Sequence, residues 1–379
     1  MHMLLLLLFG ISRSRAQKNI QIPESLYAAI VSSFPDQNII FSTDVIRSSM
    51  LFIYVGVEND EAEEIRKALR YEKSYLSQYK PDSKKIFAMR LQNDTIAKSL
   101  TRFYIPLDLK MSKNYKRFMR HTEGSAEGIS FTPEKLNEVN NLYRREMGDK
   151  IGKIVKKSWW KSTNQGLLIN AMFFNLTWQL TFNEEATYLR GFRVNENRTI
   201  MIPMMHEDSQ FAFGNFTDLN ATAVRVPFSQ GGLGMLLIKP DRPDGLSNLE
   251  IKLSGLDIIQ ISKNLQMNEV FVVMPKFNLS CHLELAPVFK KMGIRGIFSP
   301  SKSFSTLLER KTEFRIDGVN HVVSFEFKEQ GIGPPQTDVG NGSLTHTVSE
   351  VKYFMATHPF AFFIIDQESI FFAGHVTSF

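Results

Sequence analysis

A single cysteine in 379 residues is what the sequence most conspicuously withholds. Cys281 has no partner within the chain, so no internal disulfide can form. A structural zinc site built on two or more thiolates is excluded for the same reason. Long apolar runs are missing too: residues 3–9 are almost pure Leu, yet too few to span a bilayer, and no other run is long enough. Catalytic signatures are equally scarce. There is no Gly-x-Ser-x-Gly elbow and no Gly-rich phosphate fingerprint. The nearest mimic, running from Gly148 to Ile154, is one residue short of a phosphate loop, lacks the Ser/Thr after Lys, and follows a helix rather than a strand. The eight His are dispersed without metal spacing, and His206-Glu207-Asp208 lacks the second His of a zinc helix. Neither an enzyme nor a metal or cofactor site is expected. Aromatics do not interleave with basic residues, so a nucleic-acid surface is not expected either.

What is present is core-forming material: 43% hydrophobic residues, with 31 Phe and 16 Met. Those proportions fit a globular chain held by packing alone. At about 150 residues per domain the length suggests two or three units. The net charge of +6 is spread along most of the sequence and reads as a solvated surface. Lys113, Lys116, Arg117 and Arg120 fall on one face of a short helix. They would suit a sulfated polysaccharide, although a solvated face accounts for them as well.

The Leu run, followed by Gly10 and by Ser14 and Ala16 at the small positions before a cut, reads as a secretory signal peptide over residues 1–16. Seven Asn-x-Ser/Thr sites accompany it, at Asn93, Asn175, Asn197, Asn215, Asn220, Asn278 and Asn341. Asn175 continues an apolar strand and is expected to be buried and bare. The other six are glycosylation candidates, and the chain is expected to be secreted, extracellular and monomeric. Cys281 is expected to be buried.

The first half reads mainly as helix, the second as strand. Residues 45–55 form an apolar helix ending at Gly56, and Ala62, Ile65 and Leu69 follow at helical spacing. The clearest helix spans 133–147, capped by Thr132, opened by Pro133 and ended by Gly148. Its apolar stripe of Leu136, Val139, Tyr143 and Met147 should lie across something flat and hydrophobic. Residues 167–174 form an apolar strand broken only by Asn170, as expected where both faces are covered. Strands at 224–228 and 235–238 flank a Gly231-Gly232 turn, 270–274 is another, and Val323, Phe325 and Phe327 alternate with polar residues. The chain closes with a hydrophobic hairpin at 360–365 and 370–372. Helices early and strands late indicate α+β. Residues 331–348, rich in Gly and Pro between strong strands, read as a long exposed loop of the kind that often carries function.

Several of these blocks together resemble the serpins, the serine-protease-inhibitor family. Asn38-Ile39-Ile40-Phe41-Ser42 before the first apolar helix is similar to the family's first core strand and buried helix. LLINAMFFNLTW (167–178) resembles the central strand ending at a Trp near the top of the sheet. Ile202-Pro203-Met204-Met205 and Met274-Pro275-Lys276-Phe277 resemble two further signatures. HVVSFEFKEQG (321–331) is similar to the strand and hinge before the reactive loop, and HPFAFFI (358–364) with Phe372-Ala373-Gly374 to the closing hairpin. The likeness runs through residues 20–379 in order, and its departures suggest a divergent secreted member, with an insect source as a side expectation.

The resemblance implies a single serpin domain over 17–379, with three β-sheets and about eight or nine helices. It also implies a reactive loop at about 331–350 and a hinge comprising Glu329, Gly331, Ile332, Pro334 and Pro335. In inhibitory members a serine protease cuts the loop and is acylated, and the loop then inserts as a new central strand. Counting on from Gly331 as the family does places the cut at Thr345-His346, while counting back from Pro359 places it nearer Val348. The reactive-site candidates are therefore Leu344, Thr345, His346, Thr347 and Val348. None is charged in the manner of Lys, Arg, Asp or Glu, so an extracellular chymotrypsin-like or elastase-like protease is the expected partner rather than a trypsin-like one. The hinge departs from the family pattern, reading Ile332-Gly333-Pro334-Pro335 where a Thr and a run of small residues are usual. The alternative is thus a non-inhibitory serpin, acting as a carrier, ligand-binding or protease-substrate protein. Two further departures, Thr43 for the usual Pro and Leu142 for the usual Trp, are packing changes.

Overall fold

Chain order explains most of the architecture. The computed structural model describes residues 24–71, 97–120, 125–147, 153–230, 232–332 and 351–379. The elements begin with α1 (Glu24–Val31), β1 (Ile39–Phe41), α2 (Thr43–Gly56), α3 (Asn59–Ala68), β2 (Ala97–Pro106), α4 (Lys113–Arg120), β3 (Ser125–Ile129) and α5 (Pro133–Met147). Strands then dominate: β4 (Leu167–Phe174), β5 (Leu176–Thr177), β6 (Tyr188–Asn195), β7 (Arg198–Phe216), β8 (Ala221–Pro227) and β9 (Gly234–Pro240). Next come α6 (Leu246–Leu253), α7 (Ile258–Lys263), β10 (Gln266–Pro275), β11 (Phe277–Glu284) and α8 (Ala286–Lys291). The last are β12 (Gly318–Lys328), β13 (Gly331–Ile332), β14 (Lys352–Met355), β15 (Phe360–Ile365) and β16 (Ile370–Val376).

The helix expected from Pro133 forms over the same residues. Thr132 Oγ1 accepts the Lys135 N–H at 3.3 Å as its cap. Val139, Tyr143 and Met147 are buried and Leu136 is partly so. They pack with Tyr104, Leu167, Ile169, Ala171 and Val322, which come from β2, β4 and β12. The helix therefore lies across a sheet, as its stripe required. That sheet has seven strands in the order β3-β2-β4-β12-β13-β5, with β11 on the other side of β12.

The remaining nine strands form a second sheet, ordered β1-β16-β15-β9-β8-β7-β10-β14, with β6 paired to β7. The three expected sheets are thus joined into two hydrogen-bonded networks among the described residues. The cause is β7, which runs unbroken for 19 residues. Ile202 and Met204 are its buried side chains early, whereas Ser209, Phe211 and Phe213 are buried later. The covered face changes near residues 205–207, so one strand serves two packing environments. The closing hairpin is wholly internal. Every residue of β15 and β16 is buried, with β15 held between β9 and β16 and β16 pairing β1. Eight α-helices lie among the described residues, and none is long and apolar enough to cross a membrane.

Candidate functional site

Two long strands of the seven-stranded sheet, β4 and β12, meet along a buried seam. These two strands are parallel and paired from Leu167–Gly318 to Phe173–Ser324. Asn170, the single polar break in the apolar run, faces His321 across it. Both residues are fully buried, and a directional chain of hydrogen bonds satisfies them. The Ser42 N–H donates to His321 Nε2 at 3.0 Å. His321 Nδ1 must then carry the proton, and it donates to Asn170 Oδ1. Asn170 Nδ2 donates to Ser49 Oγ at 3.0 Å, which donates to the Ile46 carbonyl at 2.9 Å. Burial pushes the His321 imidazole down to about 3, so it stays neutral. The chain ties β4 and β12 to the start of α2, closing the seam from below while α5 covers it from above. Sequence reading missed this cluster: the cue was one Asn in an apolar strand, and its partner lies 151 residues away.

Above the seam, β12 turns back on itself. Residues 331–332 were expected to open the exposed loop, but both are buried. They form β13, wedged between β12 and β5, with Ile332 opposite Phe327 and Leu176, and Gly331 opposite Lys328 and Thr177. The reason is packing: Ile332 is the one large apolar side chain beside the turn, and it is 1% exposed. Gly331 adopts φ 145°, and a Cβ there would lie 2.0 Å from the Leu176 carbonyl oxygen. Only glycine allows that approach. Trp178, stacked on Phe228 at 4.5 Å, donates Nε1–H to the Lys328 carbonyl at 2.9 Å. Its backbone N–H donates to the Gln330 carbonyl at 3.0 Å.

Glu329 anchors this turn. Its carboxylate accepts from Lys276 Nζ at 2.8 Å and from Thr187 Oγ1 at 2.7 Å. Burial alone would raise this carboxyl, but those hydrogen bonds outweigh it and hold it below the ordinary carboxylate range. Lys276 belongs to the Met274-Pro275-Lys276-Phe277 block. The structure thus brings Glu329, Gly331 and Ile332 together with Lys276, Thr187 and Trp178. Pro334, Pro335 and the candidates Leu344, Thr345, His346, Thr347 and Val348 lie outside the described residues.

The other expected sites are dispersed. Lys113, Lys116 and Arg117 are exposed on α4, opposite the buried Tyr115 and Met119; the side chain of Arg120 lies outside the description. Asn197, Asn215, Asn220 and Asn278 are exposed, Asn175 is buried, and Asn93 and Asn341 are outside the described residues, as is the expected signal segment. Cys281 is buried. Its Sγ accepts the Ile40 N–H at 3.2 Å and donates to the Asn38 carbonyl at 3.4 Å, linking β11 to β1. Among the described residues no cluster of three or more His, Cys, Asp or Glu could hold a metal ion.

A curated relative, serine protease inhibitor 42Dd of Drosophila melanogaster, is 27% identical over 371 residues, covering 94% of this chain and 96% of that protein. The leukocyte elastase inhibitor of Bos taurus is 26% identical over 376 residues, covering 95% and 98%. Human thyroxine-binding globulin complexed with its hormone has the same fold, with a TM-score of 0.83, 19% identity, and coverage of 94% and 96%. The family model described as serpin (serine protease inhibitor) matches residues 17–379. The family's named activity is inhibition of proteases rather than catalysis. The chain belongs to the serpin family.

Proposed function

We propose that the chain is a secreted, monomeric serpin glycoprotein that presents residues 333–350 as bait to an extracellular chymotrypsin-like or elastase-like serine protease. Attack between Leu344 and Val348 would acylate the protease, and the loop would then add as a strand between β4 and β12. The observation that carries this reading is β13. Gly331 and Ile332 already occupy the first two places of such a strand, paired on both sides. A sulfated polysaccharide on Lys113, Lys116, Arg117 and Arg120 would accompany this activity as a surface ligand, read by retention on heparin resin and its loss with salt.

One specific feature favours a second reading, a serpin that is cut without trapping. Continuing the β13 register would set Pro334 opposite Phe325 and Pro335 opposite Ser324. Ser324 is the last rung of the closed seam. Successive residues of a central strand donate to opposite neighbours, so the two prolines would remove one donor from each side at the place where the seam must part. Each buried acceptor left unpaired costs about 1–3 kcal/mol. Insertion slowed there gives the protease time to hydrolyse the ester and leave.

The experiment mixes the purified chain with chymotrypsin and with pancreatic elastase and looks for a covalent complex on a denaturing gel. A stable complex supports trapping. Clean cleavage between Leu344 and Val348 with no complex refutes trapping and supports the second reading, and the Pro334→Ala/Pro335→Ala chain should then regain the complex.

A further inference from the structure

Among the described residues, six strands end the two sheets, and each has a partner strand on one side only: β1, β14, β6, β3, β5 and β11. Every second residue of such a strand turns its N–H and C=O away from the sheet, where another chain can pair with them. Five of the six are protected by length, shape or charge. β5, β1, β14 and β3 have only two, three, four and five residues. β6 is longer, but its register shifts between Arg193 and Asn195, and Arg190 and Arg193 put charge along it. The sixth, β11, has none of these defences. It pairs β12 over eight rungs, from Phe277–Phe327 to Glu284–Asn320, with no bulge. Its sequence, FNLSCHLE, contains no Pro, Lys or Arg. The one carboxylate, Glu284, accepts Trp159 Nε1–H at 2.6 Å. What β11 does carry is Asn278-Leu279-Ser280, an acceptor sequence for an N-linked glycan. Asn278 and Ser280 are exposed and alternate with the buried Phe277, Leu279 and Cys281. Asn278 is opposite Glu326, four residues along β12 from Val322, which packs under α5. The other exposed sequons lie elsewhere: Asn197 in the β6–β7 turn, and Asn215 and Asn220 at the β7–β8 hairpin, where Asn215 is opposite Thr222.

We propose that Asn278 is glycosylated and that its glycan keeps the β11 edges of two copies of this chain from pairing. The inference rests on reading the chain as a secreted glycoprotein. The partner it excludes follows from the strand itself. Two β11 strands set antiparallel about a twofold axis are self-complementary, each offering the same unpaired backbone edge and the same alternation of exposed and buried side chains. On such an added strand, the residue opposite Asn278 would have its Cβ about 4.5–5.5 Å away. A branched oligosaccharide is wider than that gap, so glycan and added strand cannot share this stretch. The folded monomer accommodates the glycan because Asn278 is exposed. The sugar thus does for β11 what shortness, a bulge or arginines do for the other five edges.

The test expresses the full chain in a secreting eukaryotic host, maps its glycopeptides by mass spectrometry, and follows loss of monomer by size-exclusion chromatography on mild warming. Asn278 should be occupied. Asn278→Gln and Ser280→Ala each delete this sequon and should lose monomer severalfold faster than the wild type. Asn197→Gln, which strips a glycan from a turn, should not. Ser280→Lys deletes the sequon but puts charge on the edge, so it should stay monomeric. Enzymatic removal of glycans from the folded wild type bypasses any folding defect and should reproduce the loss. Three results would overturn the inference and leave the glycoprotein reading standing: Asn278 bare while other sequons are occupied, both sequon variants as monomeric as the wild type, or Asn197→Gln losing monomer equally fast. A secreted chain with no glycan at any sequon would overturn both.

Discussion

Replacing His321 by Leu should change how stability depends on pH as well as its size. The imidazole is fully buried and held neutral, its folded value near 3 against an ordinary value of 6.5. Below 6.5 the unfolded chain binds a proton that the folded chain refuses, so the unfolded state gains and stability falls as pH falls. At about 1.4 kcal/mol per unit, this group accounts for about 2 kcal/mol between pH 6.5 and pH 5, and about 4 kcal/mol by pH 3. At pH 7 the substitution removes the acceptor of the Ser42 N–H and the donor to Asn170 Oδ1. Each buried orphan costs about 1–3 kcal/mol. The variant should therefore be several kcal/mol weaker at pH 7, and its deficit should shrink by about 2 kcal/mol at pH 5. Urea midpoints at pH 7, 6 and 5 measure this, and the difference between the two chains cancels carboxylates common to both. Hydrogen exchange over 167–174 and 318–324 locates the loss at the seam. Parallel pH profiles for the two proteins would refute the assignment of a neutral, buried His321.

Three other outcomes are expected. Gly331→Ala should cost about 1–3 kcal/mol through backbone conformation alone, more with the approach to Leu176, and should expose the 329–332 turn to limited proteolysis. Lys276→Ala strips the buried Glu329 carboxylate of its charged donor and should cost about 1.5–3 kcal/mol at neutral pH by urea melt. Because that carboxyl is held low, the stability it contributes is present above its ordinary range and lost as acid protonates it, so the variant's deficit should narrow in acid. Cys281, its thiol pushed up to about 12 by burial, should ignore Ellman's reagent at pH 8 in the folded chain and react fully in urea.

Residues whose neighbours are close in sequence were readable; residues whose partners are remote were not. The stripe of α5 declared itself because Val139, Tyr143 and Met147 repeat at helical spacing. The strand 167–174 declared itself by apolar continuity. By contrast, nothing local says that Asn170 meets His321, or that Lys276 meets Glu329. Those pairings are products of topology. The fate of Ile332 was hidden by its company: set among glycines and prolines, it reads as loop, and only the slot left between β5 and β12 makes it core. The single network joining β6 to β8 was hidden for a related reason, since the change of covered face along β7 mimics a strand boundary. Cys281 gave no hint of its role because its bonds run to the backbone of Asn38 and Ile40.

The internal position of β15 and β16 has one more consequence. A cut between Leu344 and Val348 would split the polypeptide, yet the shorter piece carries Phe360, Phe362, Phe363, Ile364 and Ile365, each with no accessible surface. At about 1.5–3 kcal/mol per buried side chain, that piece stays in place without a covalent link. The nicked protein would therefore migrate as one particle in native conditions and as two fragments in detergent. The folded product of proteolysis is a heterodimer whose subunits were never separate.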